Sequence, residues 1–411
     1  MPPPPSSADR TVALYPWFRF LTQLLFWQSV WFLFFQSRLT AAEAILLYAI
    51  YDVATTALEV PSGYLSDRAG RRLTLMLSCA MGAAAMVLLT VGSGFAVFAA
   101  AQVLLGGSIA FASGTDSALL YESLCDDDRA DAVEAQELRA WRFAFTGLAL
   151  SAAIGGVLAQ VHDRLPFAAS ALAMLAALVL TRKMAEPRHR DDTPPQGGEL
   201  LRLSGLGAAL RQPVLRWLLG LSVAFYIFSH VPFVFGQPFI LQALDGLGLA
   251  GEAPLVSGVV TAAMMTLSLA ASSMAPVLRR ILGLGGLLLF ALALQVALCA
   301  ILALTGSAPA IAALLLRMVP SALSGPFVLA RIQPLLSSDS RATYLSLQSL
   351  AGHLCFAATL WLAARGAGDA SVMAHDELRR VLGAYVIGGG LTIAVLGAIL
   401  VMNRRHPDSA V

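Results

Sequence analysis

The chain has 411 residues, of which 58% are hydrophobic and 13% charged, with a formal net charge of +2. Soluble domains carry about 25% charged residues, so lipid rather than water is the expected solvent. The charges are spread over loops instead of gathered into a patch, which argues against nucleic acid as a partner. Cys79, Cys125, Cys299 and Cys355 lie far apart with no paired spacing, so no disulfide frame and no metal site is expected. The N-terminal Met1-Pro2-Pro3-Pro4-Pro5 lacks a basic region followed by an apolar run, and no cleaved signal peptide is expected.

A membrane-spanning helix needs about 20 mostly apolar residues. That length predicts spans at 14–36, 41–63, 73–92, 95–121, 140–160 and 165–183. A polar stretch from Glu186 to Pro213 follows, with a short amphipathic segment at Leu200 to Leu210. The second half predicts spans at 214–242, 255–276, 282–305, 308–331, 342–365 and 380–403. The reading is an all-α membrane protein of twelve transmembrane helices in two six-helix pseudo-repeats. Its expected parts are a bundle at 1–183, a cytoplasmic linker at 184–213 and a second bundle at 214–411.

With both termini inside, only Arg38, Arg164, Arg365, Arg379 and Arg380 fall on outer loops, and Arg19 and Arg317 within spans. The rest of the 27 Lys and Arg residues face inward, as the positive-inside rule requires. The halves also echo each other. Ser113-Gly114 recurs as Ser324-Gly325, and Arg139-Ala140 as Arg341-Ala342. At the place of the first-half loop the second half has Arg279-Arg280, read as a loop that has lost its glycines and aspartate.

The most informative stretch is Glu59-Val60-Pro61-Ser62-Gly63-Tyr64-Leu65-Ser66-Asp67-Arg68-Ala69-Gly70-Arg71-Arg72. It is read as a short charged loop whose Gly63 and Gly70 permit turns and close approach. Its order, G-x-L-x-D-R-x-G-R-R, resembles the loop between helices 2 and 3 of major facilitator superfamily transporters. The preceding Glu-x-Pro-Ser-Gly resembles the bacterial drug and metabolite transporters of that superfamily. Ser113 to Glu122 and Ser337 to Thr343 are similar to the same subgroup.

The resemblance implies alternating access around a central solute site. It further implies that Asp67, Arg68, Arg71 and Arg72 hold a cytoplasmic gate, with Asp67 facing the start of the eleventh span. Glu59 and Glu122 are read as satisfying those arginines. A bacterial inner-membrane location and a monomer are likewise expected from the family alone. Two departures from the antiporter pattern are visible: no arginine stands midway along the fourth span, and Gly147…Gly155-Gly156 lacks the accompanying proline.

Charge within a bilayer costs about 2.5–3.5 kcal/mol per residue on insertion scales, and so points to function. Asp52 is the candidate proton-coupling acid; the alternative is a static carboxylate bonded to Tyr48 or Tyr51 or paired with an arginine. Arg317, nine residues into the tenth span, is a candidate anchor for an anionic solute group or a partner for a buried carboxylate. Arg19 and Asp116 are read as an ion pair that opens and closes with the gate, with snorkelling of Arg19 as the alternative. His230, among Tyr226, Phe228, Phe233 and Phe235 on a span expected to face the cavity, is a candidate substrate-cavity residue; for it and for His353 the other reading is a hydrogen-bonded structural histidine. Gln23, Trp27 and Trp31 fall at i, i+4 and i+8 on one face and suit an amphipathic solute, with an interfacial aromatic belt as the alternative for Trp31.

Asp126-Asp127-Asp128 lacks calcium-loop spacing, and no phosphate-binding glycine loop, HExxH or nucleophile elbow is present, so no enzyme activity and no cofactor is expected. The expected function is secondary transport of a small organic solute, proton-coupled, with export favoured by the drug-transporter resemblance. Import of an anionic metabolite or metal chelate is the alternative, and a non-transporting receptor a remote one.

Overall fold

The computed structural model describes residues 7–187, 207, 210–332, 335, 338–366 and 373–403. The linker motifs at 188–206 and Ser337 lie outside them, as do the side chains of 338–343. Every regular element among the described residues is helical. Eleven segments are long and apolar enough to cross a membrane. They correspond to the second through twelfth expected spans.

The chain forms two compact units. The first is built from the described residues up to 187, except 40–45, together with 254–262. Its helices are α1 (Ser7–Thr22), α2 (Trp31–Gln36), most of α3 (Ala41–Ala69), α4 (Arg71–Val91), α5 (Phe95–Ala112), α6 (Thr115–Cys125), α7 (Val133–Val161) and α8 (Leu165–Arg182). Tyr15, Phe18, Leu75, Leu119, Leu120 and Ala177 pack in one of its apolar clusters. Phe34, Phe35, Phe98 and Phe167 form an aromatic group with centroid separations of 4.4–5.7 Å.

The first expected span is not one helix. After Thr22 the backbone leaves helical geometry, makes a 3₁₀ turn at Phe26–Ser29, and resumes as α2. A broken helix in lipid is tolerated only where protein satisfies its freed backbone groups. Here Ser151 donates to the Gln23 carbonyl and Ser170 to the Leu24 carbonyl, each at 3.3 Å. The neighbouring helix can approach because it offers glycine. A Cβ on Gly147 would lie 2.6 Å from the Phe20 carbonyl oxygen, and one on Gly155 only 2.1 Å from that of Phe26.

The charged stretch at 59–72 is not a loop either. α3 continues through Pro61 to Ala69, and Gly70, at φ +104°, is the sole non-helical residue before α4. In the fourth span, Gly114 takes the left-handed conformation (φ 72°) and separates α5 from α6.

The second unit contains α9 (Pro213–Asp245), most of α10 (Ala253–Leu304), α11 (Val319–Ile332), α12 (Ser338–Gly366) and α13 (His375–Asn403). α10 combines the eighth and ninth spans, with non-helical backbone only at Gly283 (φ 69°). Arg279-Arg280 is therefore helical rather than a loop, and Gly283, three residues on, makes the turn. The tenth span opens as a nine-residue 3₁₀ run, Ala308–Leu316, before α11 starts. Pro320 sits in the first turn of α11, where a missing N–H costs nothing. Tyr344 and Trp217 tie this unit together by donating to the carbonyls of Leu215 (2.5 Å) and Leu396 (2.9 Å).

Candidate gate and substrate sites

At the α3–α4 junction one guanidinium gathers three partners. Arg71 donates to Glu122 Oε1 from Nε (3.0 Å) and Nη2 (2.9 Å), and from Nη1 to Asp67 Oδ1 (2.7 Å) and Ser66 Oγ (2.8 Å). Thr115 Oγ1 donates to Ser66 Oγ at 3.1 Å, so α6 is tied to α3 through hydroxyls as well as charge. Asp67 and Arg71 stand four residues apart on the two sides of Gly70, and the turn there brings the last turn of α3 against the first residue of α4. Charge-assisted and forked contacts of this kind are stronger than neutral ones.

Glu186, beyond α8, completes the junction. Its carboxylate accepts the backbone N–H groups of Arg71 (2.6 Å) and Arg72 (2.9 Å). These N–H groups have no partner within α4, and a carboxylate also favours the positive end of the helix dipole. Gly70 is required by its positive φ, a conformation that L side chains rarely adopt; a Cβ there would also crowd the movable end of Glu186. Arg72 Nη1 donates to the Met184 carbonyl at 3.3 Å. Sequence reasoning missed Glu186; the only signal was a lone acid just after the basic end of the sixth span.

Arg68 lies over the Tyr64 ring at 5.0 Å. Glu59 departs from the expectation that it satisfies the loop arginines. Among the described residues it makes no ion pair, and its carbonyl accepts from Ser62 Oγ at 2.8 Å. The cause is the unbroken helix, which holds Glu59 and Arg68 about 14 Å apart along the axis at 1.5 Å per residue. Gly63 likewise faces open space rather than a close neighbour. The expected partner of Asp67, at the start of the eleventh span, involves side chains outside the described residues.

Arg19 and Asp116 are brought together as an ion pair in the first unit, at the end of α1 and the first turn of α6. Asp116 Oδ1 also accepts from its neighbour's backbone, the Ser117 N–H, at 2.8 Å, and the Arg19 guanidinium lies 5.8 Å from the Trp141 ring. Asp52 is fully buried in α3, and its carbonyl accepts from Thr56 Oγ1 at 3.1 Å.

The break in the first span undoes the predicted face of Gln23, Trp27 and Trp31. Gln23 lies in the break, Trp27 in the 3₁₀ turn, and Trp31 begins a separate helix. Trp31 is 1% exposed and packs on Phe32, Phe35 and Tyr48, so it is core.

In the second unit, Arg317 occupies the turn between the 3₁₀ run and α11. Its Nε points at Met264 Sδ (3.2 Å), and its guanidinium lies 5.1 Å from the centroid of Phe233. His230 Nδ1 donates to the Tyr226 carbonyl at 2.7 Å, while the Tyr226 hydroxyl and His353 Nδ1 share a hydrogen bond of 2.7 Å. A cavity of about 260 Å³ opens beside them, lined by Ser222, Tyr226, Ser229, Ser321, Ser324 and Gln348, among others. These neutral groups can orient a polar solute, and none appeared among the sequence candidates except as neighbours of His230.

This helical architecture combines charged helix junctions with polar groups inside the spans. Residues 12–360 match the model of the major facilitator superfamily, and the chain belongs to that superfamily. It is a multi-pass membrane transporter, not an enzyme. No curated protein matches the sequence. In fold it is similar to the nucleoside transporter NupG (TM-score 0.76, 10% identity, 95% of this chain and 98% of that one). It is also similar to a D-xylose–proton symporter (0.70, 16%, 95% and 96%). A third similar fold is a bacterial homologue of the human lysosomal transporter Spinster (0.66, 17%, 96% and 96%).

Proposed function

We propose that the chain carries a small organic solute by alternating access and couples that movement to protons through Asp52. The observation that carries this reading is a carboxylate with no exposure, set within a 29-residue membrane helix. An ionised group in such a place is costly unless compensated. A change of surroundings between inward- and outward-open states is therefore a means of taking up and releasing a proton. The Arg71 cluster acts as the cytoplasmic gate, and Arg317 with the serine-lined cavity contacts solute. The protein works as a monomer in a bacterial cytoplasmic membrane with both termini inside. Export is the favoured direction, on the likeness of the 59–72 stretch to drug transporters.

Uptake is the second reading, favoured by Arg317, which suits an anionic solute, and by the fold shared with a proton symporter. Purified protein in vesicles carrying a pH dye would be challenged with a solute panel, wild type beside Asp52→Asn. Solute-dependent proton flux that disappears in the variant supports the proposal, and the sign of that flux assigns direction. Solute movement without proton flux, unchanged in the variant, sinks the coupling.

A further inference from the structure

The second unit has a larger hollow that the solute path leaves unused. It is a groove of about 480 Å³ between α9, α12 and α13. One wall is a stripe of α13 at every fourth residue, Arg380, Ala384, Gly388 and Thr392, facing Phe228 and Leu362. At 1.5 Å per residue the stripe is about 18 Å long, close to one leaflet's share of a hydrocarbon core about 30 Å thick. Its lining is mainly apolar. The hydroxyls inside already have partners: Tyr385 donates to Thr359 Oγ1 at 3.0 Å, and Thr359 and Thr392 donate to the carbonyls of Phe356 (2.7 Å) and Gly388 (2.8 Å).

The rim of the groove is exposed and apolar. Leu362 on its wall is 61% exposed, and Trp361, Ile387 and Leu391 beside it are exposed too, side chains that water would not favour in one patch. Its charged end lies where α12 finishes and α13 begins. Arg380 lines that end, and Arg365, one turn beyond Trp361 on α12, lies 4.4 Å from that ring. Tryptophan and arginine at a helix end mark headgroup depth.

We propose that this groove holds one anionic phospholipid, its phosphate on Arg380 and Arg365 and an acyl chain along the α13 stripe. Charge complementarity selects the headgroup, and the apolar leaflet-length channel selects the chain. The test uses the full chain, reconstituted in vesicles of equal phosphatidylglycerol and phosphatidylcholine, re-extracted gently and weighed by native mass spectrometry. Wild type should retain phosphatidylglycerol in preference to phosphatidylcholine. Arg380→Gln should weaken that preference about fivefold, the worth of one basic residue near an anionic surface.

Gly388→Leu should expel both lipids, since a side chain there meets no protein atom within 4 Å and would grow into the groove. Gly390→Leu has equal room off the groove lining and should keep the lipid. Equal retention of the two lipids by wild type overturns the proposal. So does retention unchanged in Gly388→Leu, or loss in Gly390→Leu as complete as in Gly388→Leu.

Discussion

Glu186 accepts the backbone N–H of Arg71 at 2.6 Å, although 115 residues separate them in sequence. The contact closes the first unit at the end where α4 starts and α8 has just ended. Its companion bond to Arg72 makes Glu186 a helix cap supplied from a distance. Replacing a capping side chain by alanine costs about 1 kcal/mol. Glu186→Ala should therefore lower the thermal unfolding midpoint in detergent, and Glu186→Gln, which keeps one acceptor, should fall between. A midpoint unchanged in both would show that the cap contributes nothing.

The Arg19–Asp116 pair is more deeply set, with side-chain exposures of 19% and 8%. Removing one partner of a buried pair strands the other charge and costs about 3 kcal/mol, whereas replacing both by apolar groups is often neutral. Arg19→Leu and Asp116→Leu should each destabilise the protein, and the double variant should recover most of the loss. Additive losses in that cycle would mean that the two groups are not energetically coupled.

The glycines sort differently from what the motif suggests. A Cβ on Gly155 would meet the Phe26 carbonyl at 2.1 Å, backbone that cannot turn aside, whereas one on Gly63 meets nothing within 4 Å. Gly155→Ala should destabilise by about 1–3 kcal/mol through overpacking. Gly63→Ala, inside a helix, should stabilise by about 1 kcal/mol. Thermal unfolding of the two variants side by side gives the answer. Should Gly63→Ala gain stability but lose transport, the glycine serves a conformation in which α3 has a close neighbour.

Asp52→Asn separates coupling from binding. Solute-for-solute exchange across the vesicle membrane needs no net proton movement, so it should persist near the wild-type rate. Concentration of solute driven by a pH gradient should vanish. Equal loss of both activities would make Asp52 a structural or solute-binding group instead.

Much of this protein was determined by sequence alone. Lipid excludes backbone groups that lack internal hydrogen bonds, so apolar runs of spanning length have to be helices, and eleven of the twelve expected spans are recognisable at their expected places. The 59–72 stretch stands out by its charge and glycines, though these suggest a loop where α3 in fact continues to Ala69. Arg19 and Asp116 were legible as a pair because charge is rare in such helices. The tertiary structure decided what depends on neighbours distant in sequence. Local propensity gives no reason for the first span to break at Gln23; Ser151 and Ser170 on other helices donate to the freed carbonyls, and Gly155 leaves room for the backbone. The same break turned the even spacing of Gln23, Trp27 and Trp31 into three separate environments. Glu186 looked like the start of a polar linker, and only the approach of α8 to α4 made it a cap. Spacing along a chain reports a helix face only while the helix continues, and whether it continues is settled by what the surrounding helices offer its backbone.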